Sequence, residues 1–317
     1  MQFSIVICTY NNQESLQGTL ASMAALRVPP DVTVELCVVD NNSSDATAEV
    51  CAAASGTLPM AMRYFFESAQ GLSHARNRGL REALGEFIIY TDDDVVVEPD
   101  WLERYAHSFL QVGADAAYGR VVPEWRGREP WFFIPHLRAA YALLDYGPTS
   151  FWVSQLWQEF FGANFAVRKS LLQQVGGFDV RLGRTKGSFF IGEERKVFLH
   201  LLDLDARIFY DAGNYVHHVI AESRKDVAFL RRYFRDIAAS HVAADTMAPR
   251  RWLGFMPGYR WRELLSFFAS MPVRAFSALF SSNTTAQLLY LEMRSRTLLR
   301  MVALYWSLPN SSKLSLR

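Results

Sequence analysis

Cysteine is scarce in this chain of 317 residues: there are three, Cys8, Cys37 and Cys51. None is spaced as CxxC, and Cys8 and Cys37 lie inside apolar runs, where a thiol serves as a small core side chain. A disulfide scaffold or a cysteine-held metal site is thereby excluded, and a reducing, cytoplasmic compartment fits best. The chain also lacks a run of about 18 apolar residues that could cross a membrane. Its longest uncharged stretch, Ala275 to Leu291, carries Ser281-Ser282-Asn283-Thr284-Thr285 at the centre, five polar side chains that hydrocarbon does not solvate. The first apolar stretch ends at Thr9 with no Lys or Arg before it, which is too short for a secretion signal. A basic excess is missing as well. With 33 Lys and Arg against 32 Asp and Glu, the net charge is +1, and no nucleic-acid partner is expected.

Half of the residues are hydrophobic, enough to bury a large core, and the length suits one big domain with an appendage. The charges are unevenly spread. Residues 1–223 hold 18 basic and 27 acidic side chains (−9), and residues 224–317 hold 15 and 5 (+10). An acidic globule with a basic, aromatic-rich end suggests a catalytic part docked to an anionic membrane surface; a tail packed on the acidic part of its own chain explains the same numbers. If membranes matter, the chain lies on them rather than in them.

Apolar runs and helical stretches alternate through the first half. Phe3 to Cys8, Val32 to Val39, Ala61 to Phe65 and Phe87 to Tyr90 read as strands, separated by helices near Gln13 to Ala25, Asp45 to Ala54 and Ser73 to Leu84. This is βαβ architecture, an α/β fold with a mostly parallel sheet whose ligands bind outside the carboxyl ends of the strands. Polar clusters stand at three such ends: Thr9-Tyr10-Asn11-Asn12, Asp40-Asn41-Asn42-Ser43 and Thr91-Asp92-Asp93-Asp94. Further on come a helix near Asp100 to Leu110, strands near Ala114 to Tyr118 and Ala163 to Val167, and helices over Lys169 to Val175 and Glu193 to Leu202. Two more strands are expected at Arg207 to Tyr210 and Tyr215 to Val219. Val122 to Ser150, rich in Pro, Trp and Gly, reads as a long surface loop near the site. From Asp226 onward the chain reads as helical, broken at Pro249, Pro257 and Pro272, with an apolar stripe through Leu291, Leu298, Val302 and Tyr305.

The Asp triplet carries the clearest chemistry. Strand alternation sends Asp92 and Asp94 to one side and Asp93 to the other, and two same-side carboxylates invite Mg²⁺ or Mn²⁺ shared with a substrate's phosphates. Taken alone, the triplet fits a solvated turn or helix cap equally well.

Its neighbours extend the pattern. Ser4-Ile5-Val6-Ile7-Cys8-Thr9-Tyr10-Asn11, Val38-Val39-Asp40-Asn41-Asn42-Ser43-Ser44-Asp45, Gly71-Leu72-Ser73-His74-Ala75-Arg76-Asn77-Arg78-Gly79 and Tyr90-Thr91-Asp92-Asp93-Asp94 resemble, in order, the opening motifs of the family 2 glycosyltransferases. Gly162 to Arg168, Gly176-Gly177-Phe178-Asp179 and Gly192-Glu193-Glu194 resemble its later half, so that the likeness spans about residues 3–224.

The resemblance implies a GT-A fold, a Rossmann-like central sheet flanked by helices, over residues 1–223, with 224–317 as a helical C-terminal region. It implies an inverting transfer from a nucleotide diphosphate-sugar donor to a glycan or lipid-linked acceptor, in a setting such as bacterial polysaccharide assembly. Thr9, Tyr10, Asp40 and Arg76 would enclose the nucleotide, Asp92 and Asp93 would complete the donor site, and Asp94 with Asp92 and His218 would hold Mn²⁺ or Mg²⁺. Family members often carry Glu-Asp where this chain has Glu193-Glu194. By position Glu194 is the base that takes the acceptor's proton, with Glu193 the alternative.

Duller readings compete: Asp40 as a helix cap, Arg76 as a surface partner of Glu82, either of His217 and His218 as a structural histidine. A sugar-phosphate nucleotidyltransferase would need a glycine-rich phosphate loop after its first strand, and Thr9 to Ser15 contains no glycine. The non-enzymatic alternative is a nucleotide-sugar-binding scaffold of a polysaccharide assembly complex.

Overall fold

A computed structural model describes residues 2–185, 192–247 and 252–308. They fall into two compact units, one of residues 2–126, 142–185 and 193–220, the other of 127–141, 192, 221–247 and 252–308.

In the first unit the strands are β1 (Phe3–Thr9), β2 (Val34–Asp40), β3 (Ala61–Phe66), β4 (Phe87–Asp92), β5 (Val95–Val97), β6 (Ala116–Trp125), β7 (Phe151–Trp152), β8 (Phe165–Arg168) and β9 (Ile208–Ile220). The helices are α1 (Gln13–Met23), α2 (Thr47–Ala54), α3 (Leu72–Glu82), α4 (Trp101–Ala106), α5 (Lys169–Gln174) and α6 (Glu193–Asp203). The nine strands form one sheet in the order β3-β2-β1-β4-β8-β6-β9-β5, with β7 pairing β9. Strands β3, β2, β1 and β4 run parallel, and β8 is antiparallel to both of its neighbours. The α/β class and helix-flanked central sheet expected from the alternation are what the chain forms.

Register decides where the polar strand ends lie. Thr9 stands beside Asp40 and Cys8 beside Asp92, so the ends of β2, β1 and β4 make one edge. The chain winds outward from β1 through β2 to β3, then returns to place β4 on the other flank of β1, and such a switch point opens a crevice above the strand ends. Helix α3 seats closely on β1, where a Cβ on Gly79 would collide with Val6 Cγ1.

Three elements differ from the sequence expectation. The two strands expected at 207–210 and 215–219 are one, β9, because residues 212–214 bulge out between the pairs Gly119–Asp211 and Arg120–Tyr215, with Gly213 N–H donating to Asp211 Oδ1 at 2.9 Å. The stretch Val122 to Ser150 is not wholly loop. Strand β6 runs through it to Trp125, and residues 127–141 belong to the second unit, ending in a 3₁₀ helix over Pro135–Tyr141. Pro123 is tolerated in β6 because Val121 directs its N–H and C=O away from β9 to Leu144, so two residues on the proline nitrogen faces the same side, beyond the last pair with β8 at Tyr118.

The third difference lies in the second unit, built of α7 (Val227–Met247), the short hairpin β10 (Trp252–Leu253) and β11 (Met256–Pro257), α8 (Gly258–Leu279) and α9 (Thr284–Ser307). Pro272 sits inside α8 instead of ending it. Phe267 before it and Ala278 after it are both buried, and that packing outweighs the roughly 3 kcal/mol that an internal proline costs a helix. The break expected at Pro249 lies outside the described residues. Leu291, Leu298 and Tyr305 face a core shared with Ala238, Val242, Met256, Phe267 and Met301, as the stripe implied. Asp245 is buried there, accepting from Arg260 Nε at 2.8 Å and from the hydroxyls of Tyr259 and Tyr305, while Glu263 pairs with Arg260 and Arg294.

Candidate functional site

The loops after β1 and β2 are stitched together. Asn11 N–H donates to Ser43 Oγ at 2.9 Å, Asn11 Oδ1 accepts from Ser44 N–H at 2.7 Å, and Gln13 exchanges bonds with Asp45 and Ala46. Asn11 (φ 47°) and Asn42 (φ 68°) both adopt the left-handed conformation, which asparagine tolerates better than most residues and which recurs where a backbone is held for function. Asp40 is buried in this corner. Its Oδ1 accepts from Ser43 N–H at 2.8 Å and its Oδ2 from the Tyr64 hydroxyl at 2.6 Å. Asp40 therefore does close a turn, but a hydroxyl and a backbone amide hold its carboxylate at the strand-end edge. Tyr10 lies part-exposed just beyond β1.

The triplet divides three ways. Asp93 turns to β1, accepting from the Thr9 hydroxyl at 2.6 Å and from Asn12 Nδ2 at 2.8 Å. Burial and the neighbouring Asp94 carboxylate push Asp93 up to about 7 despite those two donors. Asp94 meets the buried His218 across β5 and β9, Oδ2 to Nε2 3.1 Å, because Val95 pairs with His218 in the ladder. His217 points the other way, to Glu98 at 3.0 Å. Asp92 faces Arg76, Oδ1 to Nη2 3.8 Å, and burial and Asp94 raise its pKa above the ordinary aspartate value.

Arg76 is the centre of the arrangement. Buried on α3, it donates through Nη1 to Glu193 Oε1 at 3.0 Å and to Glu194 Oε1 at 2.8 Å, both at the start of α6. The surface pairing with Glu82 falls to Arg78 instead. The two glutamates differ in kind. Glu193 is almost fully buried, its Oε2 has no hydrogen-bond partner among the described residues, and burial together with the Glu194 charge raises it to about 8. Burial also opposes ionisation of Glu194, but the Arg76 charge together with hydrogen bonds from the backbone, Arg76 and Glu193 outweighs it and holds this carboxyl below its ordinary value. Glu194 is also the one solvent can reach, its side chain 19% exposed against 2% for Glu193. Gly162 makes the room, since a Cβ there would collide with Arg76 Nη2 and Glu194 Oε1.

The structure thus assembles the expected residues in linked groups: Thr9 with Asp93; Asp92 with Arg76, Glu193 and Glu194; Asp94 with His218. Asp40 stands beside Thr9 in the sheet. Asp92, expected with Asp94 and His218 as one ligand set, lies within electrostatic reach of both, but among the described residues no cluster of three or more His, Cys, Asp or Glu is set to hold a metal ion. Sequence reasoning missed Tyr64, Asn12 and Asn41. Asn41 is buried, donates to the carbonyls of Glu67 and Ala69, and accepts from Gly71 N–H at 2.7 Å, so it fixes the start of the helix that carries Arg76. Its place in the polar cluster after β2 was the available signal. Arg184, which draws the Asp92 pKa down, stood in no motif.

Against known proteins, the family described as "Glycosyl transferase family 2" matches residues 4–176. Among curated relatives, the glucosyl-dolichyl phosphate glucuronosyltransferase of Haloferax volcanii is 26% identical over 73% of this chain and 73% of its own length. The succinoglycan biosynthesis protein ExoM of Rhizobium meliloti is 26% identical over 74% and 72%. In fold the chain is like the mannosyltransferase PcManGT from Pyrobaculum calidifontis, solved in complex with GDP-Man and Mn²⁺, with a TM-score of 0.61 at 19% identity over 96% of this chain and 87% of that one.

Proposed function

The chain belongs to glycosyl transferase family 2 and is a glycosyltransferase, and from that premise we propose an inverting transfer of a sugar from a nucleotide diphosphate donor, with Glu194 as the base. The observation that carries this reading is the asymmetry of the glutamate pair: Glu194 is bonded to Arg76 and reachable by solvent, whereas Glu193 is almost fully buried, where burial opposes its ionisation. An acceptor hydroxyl would give its proton to Glu194 while its oxygen attacks the anomeric carbon, and the nucleoside diphosphate would leave from the opposite face. Asp40, Thr9 and Tyr10, with Tyr64 beside them, would hold the nucleoside. Asp92 and Asp93 would line its ribose and diphosphate, and Arg76 ties this donor side to the base through its contacts with Asp92 and Glu194.

A divalent cation, Mn²⁺ or Mg²⁺, fits the donor chemistry of the triplet, where a carboxylate and an imidazole already lie in contact and where burial and the Asp94 neighbour raise Asp92. Asp94 and His218 would hold it with oxygens of the diphosphate, and Asp92 would serve from beside Arg76. When bound, the ion supplies Lewis-acid neutralisation of the charge growing on the departing diphosphate.

The acceptor we propose is a glycan or lipid-linked sugar in polysaccharide biosynthesis, a reading supported by relatives named for a dolichyl phosphate substrate and for succinoglycan. Residues 1–223 would form the transferase domain, and 224–317 would bring it to the cytoplasmic membrane face. No helix among the described residues is long and apolar enough to cross a membrane.

Kinetics of the two glutamate variants test the central step. Glu194→Gln should lose on the order of 10²–10⁴ in kcat while donor affinity stays. Loss in Glu193→Gln with Glu194→Gln unaffected would transfer the role of base to Glu193.

A further inference from the structure

The face of α8 turned away from its bundle core is apolar. Leu265, Val273, Phe276 and Leu279, with Phe280 just past the helix end, are between 61% and 76% exposed. They recur at steps of three, four and eight residues, which align on one stripe of a helix, and Ala269 and Pro272 fill the turns between. From Leu265 to Phe280 the stripe runs about 22 Å at 1.5 Å per residue. A helix apolar on both faces is ordinarily buried on both, so the outer stripe is a surface made to be covered.

We propose that this stripe is an interfacial docking surface for an anionic lipid bilayer, with α8 lying in the plane of the headgroups. Charge selects that occupant. The only acid on α8 is Glu263, and it is engaged inward by Arg260 and Arg294. The exposed charged residues of α8 are Arg262 and Arg274, both cationic. An apolar stripe flanked by arginines and free of exposed carboxylates has the composition of a helix that rests on acyl chains among anionic headgroups. Trp131 adds to this corner. Its carbonyl accepts from Asn283 Nδ2 at 2.7 Å, beside the turn that follows Phe280, and the residue is 58% exposed; tryptophan is enriched at the headgroup level. Phe276 and Phe280 stack edge to face at 5.1 Å, which presents them as one wedge.

The inference rests on the proposed membrane setting and gives it a surface. The test is co-flotation of the full-length protein with vesicles of phosphatidylcholine alone or mixed with phosphatidylglycerol, comparing the wild type, Phe276→Ser/Leu279→Ser/Phe280→Ser and Arg262→Gln. Donor binding by each protein serves as the control for folding. The expected result is partition onto anionic vesicles that weakens with salt, a loss on the order of 10²-fold in the triple variant, and a smaller loss, confined to anionic vesicles, in Arg262→Gln, all with donor binding intact. Wild-type flotation that the triple variant leaves unchanged would overturn this surface while leaving the membrane setting in place. If wild type floated with neither vesicle, the setting and the surface would fall together. A dimer in solution that the triple variant dissociates, without vesicle binding, would assign the stripe to a second copy of the chain and overturn the proposal.

Discussion

Arg76 holds three carboxylates around one guanidinium, and this fixes how the site should respond to pH. Arg76 and the hydrogen bonds around it hold the Glu194 carboxyl below its ordinary value, so a base at this position gives an acid limb of kcat/KM below the usual glutamate value of about 4.3. Burial and the Glu194 charge push Glu193 up to about 8. As pH rises through that value a second negative charge appears beside Glu194, and activity should fall. The pH–rate profile is therefore expected to have a descending limb near pH 8 that Glu193→Gln removes. Activity that rises through pH 8 would contradict the assignment, because it would make Glu193 the group that must lose its proton. Gly162→Ala is expected to push Arg76 and Glu194 apart and to cost on the order of 10²-fold in kcat with the thermal midpoint little changed, measured by turnover beside thermal unfolding. Some of these residues were legible in the sequence. Thr9, Asp40 and Asp92 stand where apolar runs stop, so a pattern of period two is enough to find them. The link from Arg76 to Glu193 was not, because 117 residues separate the two and no local rule brings a helix of one βα unit against the start of another. Tyr64 was hidden for a related reason: its hydroxyl finds Asp40 only through the pairing of its strand with β2.

At the scale of elements, α3 and α6 carry the catalytic candidates, and their seating is set by small residues. Gly79 lets α3 lie against β1, so Gly79→Ala should lift the helix and destabilise the fold by about 1–3 kcal/mol, the usual cost of overpacking. Because Arg76 lies one turn earlier, donor binding should weaken as well; calorimetry and chemical denaturation would measure both effects. In α8 the expected change has the opposite sign. Pro272 withholds a helix bond from the Phe268 carbonyl in an exposed stretch, so Pro272→Ala should gain about 2 kcal/mol, less what the freer unfolded chain takes back. A higher denaturation midpoint would confirm it; a lower one would mean the proline relieves strain at this turn. The same proline shows why the sequence misled. Local propensity argued for a break, and buried contacts on both sides, distant in sequence, overruled it. In β9 the residues between two apolar runs divided them into two expected strands, whereas a bulge next to Gly119 absorbs those residues and the strand continues through His218 to Ile220.

Across the whole chain, the expected division of charge accompanies a division of structure: the acidic strand-and-helix unit holds every candidate site residue, and the basic part lies in the helical second unit. Alternation of apolar runs made the first unit readable, since a parallel sheet needs βαβ spacing. The second carried only helical periodicity, which gives its core stripe but not the role of its outer face. The central claim is that the strand-end edge of β2, β1 and β4 binds a nucleotide diphosphate-sugar through a divalent cation at Asp94. It is tested most directly by calorimetric titration of the protein with a panel of nucleoside diphosphate sugars, in Mn²⁺ and again in chelator, with Asp94→Ala alongside. The expected result is binding of donors carrying one base, dependent on Mn²⁺ and lost in Asp94→Ala. Equal binding in chelator would contradict the role of the cation, and binding of none by folded protein would contradict the donor site itself.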